Sequence, residues 1–208
     1  MIAMIKVPAL FLSFDDCHIQ DWYNFLPFFQ RHGIKVTFYI SNIKDLNVDD
    51  WAKIQKIQDD NHCIGLHGYS HIRAGLEVGK LGCKRYLEKE ITPALALLSK
   101  HGITNVKHFS YPWGNRAPES DACLLKYFKT LRIGGIKNYR IGEVQRIKII
   151  NSTYIGMKNE NGFRWRQKFI LHTIVNKKVT FCYMHKPIES RLEWLVNQNI
   201  NIYSMSEL

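Results

Sequence analysis

The 208-residue sequence has no CxxC spacing, no Gly/Ser-rich linker, no low-complexity tract, no repeat of fixed period and no apolar run near the length of a membrane span. Each absence excludes something. The five cysteines, Cys17, Cys63, Cys83, Cys123 and Cys182, are odd in number and scattered. Neither a disulfide framework nor a thiolate zinc site is therefore expected, and a reducing compartment is the simpler setting. A bilayer-spanning helix needs roughly 18 or more apolar residues in a row, and the sequence holds no such run. The opening stretch, MIAMIKVPALFLSFDD, is interrupted by Lys6 and Pro8 and runs into acids, which fits a first strand better than a signal peptide. A cytoplasmic protein is the expectation. Acids are scarce as well: 18 Asp and Glu against 29 Lys and Arg leave a net charge of +11. Such an excess favours anionic partners, whether nucleic acid, a membrane surface or an acidic glycan. The cations are spread from KHGITNVKH to RWRQK and NKK, without a tail or an aromatic-interleaved motif, so no specific nucleic-acid binding is expected.

What is present is an alternation. Short β-branched or aromatic runs at 9–14, 35–40, 62–66, 106–110, 130–134, 146–150, 179–184 and 200–204 read as strands, with segments of helical period between most of them. Helices are expected over 21–32 (apolar face Trp22, Leu26, Phe29), 84–101 (Leu87, Ile91, Ala94, Leu95, Leu98) and 189–198 (Leu192, Leu195, Val196). Pro27 and Pro93 blur the boundaries of the first two. Two helices end in an echoed phrase, RHGIKV and KHGITNV, where a cation and a glycine suit a helix C-terminus, so His32 and His101 read as caps. The pattern is that of a parallel α/β domain filling residues 1–208. A full eight-fold barrel typically takes ~250 residues, so the expected fold is an irregular or shortened (β/α) barrel.

In parallel α/β folds, chemistry gathers at the carboxyl ends of strands. Four polar signals stand there. Asp15 and Asp16 close the first strand, and two adjacent carboxylates can serve two tasks, holding a metal and taking a proton; an isolated pair of this kind is also an ordinary turn or cap. His67 and His71 in GLHGYSH are four apart, so one helical turn would bring both imidazoles to one ion. Two imidazoles and a carboxylate leave a position open on a catalytic metal. Gly68 stands where the metalloprotease helix needs its Glu. The FSYPWG turn offers Tyr111 and Trp113 as a sugar-stacking wall, and Pro112 and Gly114 as a tight turn whose backbone N–H can face a substrate oxygen. The alternative for that turn is two core aromatics. His185 ends the apolar strand in FCYMHKP, a place where a lone histidine is more often a core residue.

Taken together, SFDD, HGYSH, SYPWG and CYMH resemble, in order and spacing, the motifs of the NodB-homology polysaccharide deacetylases, carbohydrate esterase family 4. The flanks LPFFQRHGIKVTFYIS and RLEWLVNQNINIYSMSEL agree, so the resemblance spans nearly the whole chain. It implies a NodB-like deacetylase barrel and metal-dependent removal of N-acetyl groups from an amino-sugar glycan or glycan precursor, in surface polysaccharide metabolism. It also implies Asp16, His67 and His71 as ligands of a divalent metal, zinc first and cobalt or nickel as alternatives. Asp15 becomes the general base, His185 the general acid, and the Trp113 backbone N–H an oxyanion donor.

Three departures stand out. Ser110 occupies the place of the arginine that orients the family's base, and Arg132 or Arg116 is the candidate replacement. Cys17-His18 replaces the usual Gly-Pro after the acids; His18 is a candidate neighbour that tunes the site, and Cys17 a candidate oxidation liability. The family's Asp- and Trp-containing fourth motif has only a loose stand-in in NGFRW, around Trp165. A catalytically silent glycan-binding module on the same fold is the rival that these departures support.

Overall fold

The computed structural model describes residues 5–157 and 159–208. Seven parallel strands close into a barrel: β1 (Ala9–Asp16), β2 (Thr37–Ile40), β3 (Cys63–Leu66), β4 (His108–Ser110), β5 (Thr130–Gly134), β7 (Ile149–Tyr154) and β8 (Val179–Met184), with β8 returning to β1. All eight expected strands form, the eighth being β9 (Asn201–Tyr203). The short β6 (Asn138–Tyr139) has no counterpart among them; two residues carry no legible alternation.

Both extra strands sit at seams. One edge of β1 pairs with β9 over Ala9–Phe11 and with β2 over Ser13–Asp16. Along β8, β6 pairs antiparallel at Val179 and Thr180, while β7 pairs only at Cys182 and Tyr183. The barrel is thus opened by inserted strands near its amino end and closed on itself near its carboxyl end.

Helices surround it. The expected helix at 21–32 is two, α1 (Ile19–Asn24) and α2 (Leu26–Arg31), divided at Phe25 because Pro27 lacks the N–H an interior position would need. Then come α3 (Val48–Asp59), opened by an Asn47/Asp50 capping box, and α4 (Ala74–Tyr86). A π-helical turn, Leu87–Ile91, leads into α5 (Thr92–Lys100), with Pro93 in the first turn where it is tolerated. Next are α6 (Pro118–Leu124), α7 (Ile141–Val144), α8 (Glu160–Val175) and α9 (Glu189–Val196). His32 and His101 are C-caps, and Gly33 and Gly102 follow at φ +62 and +79. Among the described residues no helix is long and apolar enough to cross a membrane.

Strand alternation divides the core in two. On β1, Leu10, Leu12 and Phe14 face the helices beside Trp22, Phe29 and Phe38, whereas Ala9 and Phe11 belong to the cluster that fills the barrel with Tyr39, Val179 and Phe181. Phe11 and Phe181 stack there at 4.8 Å. Continuing the inward series by twos reaches Ser13 and Asp15 on β1, Ser110 on β4, Arg132 on β5 and Tyr183 on β8. Residue 65 has to be glycine, because a Cβ there would lie 2.4 Å from the Tyr39 ring that crosses the lumen.

One cysteine expectation is overturned. Cys83 on α4 and Cys123 on α6 form a disulfide, with their Cα atoms 5.8 Å apart. Forty residues separate them, and only the packing of α4 on α6 brings them together, so their spacing in sequence carried no signal. The cysteines therefore no longer argue for a reducing compartment.

Candidate metal centre and active site

Asp16 ends β1 at φ +83, an unusual conformation for a residue with a Cβ, and this turns its carboxylate out of the strand's alternation. His67 follows β3 directly, and His71 is brought back toward it by φ values of +91 at Gly68 and +57 at His71. The expected single helical turn is therefore a loop; H-x-x-x-H works here through two left-handed residues. The Nε2 atoms of His67 and His71 lie 3.3 Å apart, and each is 3.3–3.4 Å from Asp16 Oδ1. Burial alone would raise the Asp16 pKa, but contact with the His67 and His71 imidazoles and the proximity of His185 outweigh it and hold the carboxyl far below the usual range.

The donor set fits a divalent metal. The carbonyl oxygen of Ser110 can only accept, so at 2.8 Å it places the hydrogen of His67 on Nδ1 and leaves the Nε2 lone pair facing Asp16. Asp16, His67 and His71 thus form a divalent-metal-binding triad, their ligand atoms all within 4.8 Å of one another.

Asp15 points the other way, into the barrel mouth, and is 2% exposed. Its Oδ2 is held by Arg132, which also donates to Ser110 Oγ, and Ser110 Oγ lies 3.5 Å from Oδ2. The Arg132 guanidinium is sandwiched by aromatic faces, 4.2 Å from the Tyr183 ring centre and 5.3 Å from that of Tyr39. The arginine missing from the third motif is therefore supplied from the next strand, and the serine in its place completes the hold. Asp15 Oδ1 has no hydrogen-bond partner among the described residues. Arg116 does not serve this role: it pairs with Asp121, away from the acids.

The FSYPWG turn divides its aromatics. Trp113 is 66% exposed at φ +61, and its Nε1 donates to His71 O at 3.1 Å, tying this turn to the metal loop. Tyr111 does not make the second half of a stacking wall. Its ring is buried, and its hydroxyl donates to Asp121 Oδ1 at 2.7 Å. Pro112 and Gly114 close the turn, with Gly114 N–H on Tyr111 O at 3.0 Å. His185 stands at the end of β8 with Nε2 3.8 Å from Asp16 Oδ2 and its ring 5.2 Å from that of Tyr154. Trp22 Nε1 fixes the backbone at His185 O, 2.8 Å. One cavity of about 550 Å³ is lined by Asp15, Asp16, His67, His71, Tyr111, Trp113, Gly114, Arg132 and His185.

His18 lies at the rim, 3.9 Å from Asp16 Oδ2 and outside the ligand cluster of Asp16, His67 and His71; burial lowers its pKa although Asp16 acts the other way. Burial, with the carboxylates of Asp50, Asp16 and Asp45, pushes the Cys17 thiol up to about 11, which disfavours the reactive thiolate. Trp165 stacks on Phe169 at the outer surface of α8 and takes no part in the cavity. One contributor left no sequence signal. Glu90, fully buried on the π-helical turn, accepts the Ser70 N–H at 2.9 Å and so anchors the loop between the two histidines.

A sequence model of the polysaccharide deacetylase family matches residues 5–127, more than half of the chain. The chain belongs to that family. In that frame the triad makes the protein a metal-dependent deacetylase, a hydrolase. No curated protein sequence matches it significantly. Solved structures share the fold. The esterase domain of a multidomain xylanase from the hindgut metagenome of Trinervitermes trinervoides has TM-score 0.61 at 14% identity, over 98% of this chain and 89% of that one. A peptidoglycan deacetylase of Bacillus subtilis has TM-score 0.63 at 14% identity, over 97% and 89%. A family 4 acetyl xylan esterase from Clostridium thermocellum, in complex with a cobalt ion, has TM-score 0.62 at 15% identity, over 96% and 89%. At such identities the likeness of the deacetylase to these structures is one of fold.

Proposed function

We propose that the protein removes N-acetyl groups from an amino-sugar-containing glycan or glycan precursor, with Asp15 as base, His185 as acid and zinc as the metal. The observation that carries this is the convergence of Asp15, Asp16, His67, His71 and His185 on one cavity. Asp16, His67 and His71 would hold the metal, which would supply a water of lowered pKa and a Lewis acid for the acetyl carbonyl. Asp15 takes a proton at Oδ1, the oxygen that Arg132 and Ser110 leave free. The arginine keeps that carboxylate oriented for the transfer. The Trp113 backbone N–H faces the developing oxyanion, and the exposed indole stacks on a sugar ring. His185 gives a proton to the departing amine across the cavity from Asp15.

The test is acetate release, with zinc, from N-acetylated chitooligosaccharides, peptidoglycan fragments and acetylated xylan. Release from the amides that disappears in Asp15→Asn supports the reading. Release from the ester alone would overturn the amide assignment. Glycan binding without turnover on any of them would return the protein to the silent-module rival.

A further inference from the structure

The cavity leaves one feature of the sequence without a use, the basic stretches RWRQK and NKK within a net charge of +11. Both belong to α8 and the residues that follow it. The inner face of α8 buries Phe163, Ile170 and Thr173. At 100° per residue, Leu171, Arg164, Val175, Lys168, His172 and Trp165 fall in one outward arc of about 120°, and all six are exposed. The outer face of a surface helix is ordinarily polar. Here Trp165, Leu171 and Val175 are 45%, 43% and 80% exposed, interleaved with two cations. The helix has a single acid, Glu160, and Arg191 takes it at 2.7 Å. Lys177 and Lys178 then extend the positive end.

We propose that the outer face of α8 docks on an anionic phospholipid bilayer. Large apolar side chains between cations, with no acid among them, match the boundary between acyl chains and negative headgroups. A nucleic-acid duplex would satisfy the cations and leave Leu171 and Val175 against water. A second copy meeting this face would bring Arg164 and Lys168 against like charges. The bilayer answers both halves of the pattern. The opposite side of the same helix reaches toward the cavity: Arg166, outside the outward arc, donates to Tyr154 O at 3.1 Å, and the Tyr154 ring lies 5.2 Å from that of His185.

Co-sedimentation of the full chain with vesicles tests this. The protein should bind mixed phosphatidylcholine/phosphatidylglycerol vesicles, be released by salt, and bind pure phosphatidylcholine far more weakly. Removing a cation should weaken binding about five-fold, and Arg164→Glu with Lys168→Glu by more than the product of two such losses. Val175→Ser with Trp165→Ser should weaken it further, and brominated lipid should quench fluorescence that Trp165→Phe removes. All six positions are on the surface, and an unchanged melting temperature verifies folding. Lys80→Glu with Lys84→Glu on α4 is the control; an equal loss there would assign the effect to net charge and overturn the proposal. Absence of vesicle binding would overturn it too, as would salt-sensitive capture by duplex DNA alone or an α8-dependent dimer without vesicle binding.

Discussion

The two ends of the barrel are built from the same strands by opposite rules. Near the amino end the inward positions are Ala9, Phe11, Val179 and Phe181, an apolar filling that excludes water. Six residues on from Ala9 along β1 and from Val179 along β8, the same inward series carries Asp15 and brings in His185, with Arg132 between aromatic rings. The first arrangement stabilises the fold by burial. The second costs stability, because charges leave water, and survives by mutual pairing. Where the inward alternation turns polar, the barrel stops being core and becomes a site.

Removing the chemistry while keeping the packing should have the largest effect. Asp15→Asn is expected to cut turnover by about 10²–10⁴-fold, the usual worth of a general base, while titration calorimetry shows metal affinity unchanged. Next is the ion pair. Arg132→Met strands a buried carboxylate and should cost about 3–5 kcal/mol in urea unfolding. Adding Asp15→Leu to it should restore most of that stability and none of the activity, turning the carboxyl end into a second amino end. If the double variant stays as unstable as the single one, the ion pair is not what sets the cost.

Buried histidines test the contrast by pH. Burial lowers His62 and His108 to about 4 from the ordinary 6.5, with Lys35 near the first and Lys129 and Lys107 near the second acting in the same direction. The unfolded chain takes up these protons first, so native stability is full above about pH 6.5 and falls as pH drops toward 4. Each contributes roughly 3 kcal/mol to that fall. Unfolding free energies at successive pH values check it, and His108→Gln should flatten the curve. The smallest effect concerns the anchor of the metal loop. Glu90→Gln keeps an acceptor for Ser70 N–H but loses the charge, and should weaken metal affinity by about ten-fold, within the range for groups that orient ligands.

Legibility followed the same divide. Strands and strand-end motifs could be read because alternation and polar punctuation are local: SFDD and CYMH announce both where a strand ends and what stands there. Arg132 could be nominated only together with Arg116, since nothing local says that Arg132 faces inward beside Asp15 while Arg116 turns to Asp121. Tyr111 looked like a sugar platform because an aromatic in a turn gives no sign of which way it faces; its hydroxyl found Asp121 and Ser120 ten and nine residues later. The Cys83–Cys123 bond and the contact of Glu90 with Ser70 depend wholly on tertiary packing. The two-helix break at Phe25 is local by contrast, and Pro27 marked its place.

The central claim is that Asp16, His67 and His71 hold a catalytic divalent metal while Asp15 stays free of it. Metal content of the purified protein after zinc loading, measured beside Asp16→Ala/His71→Ala and Asp15→Asn, tests this most directly. The expected result is about one ion per chain, kept in Asp15→Asn and lost in the double variant. An ion retained when Asp16 and His71 are both removed, or lost when only Asp15 is changed, would contradict the assignment.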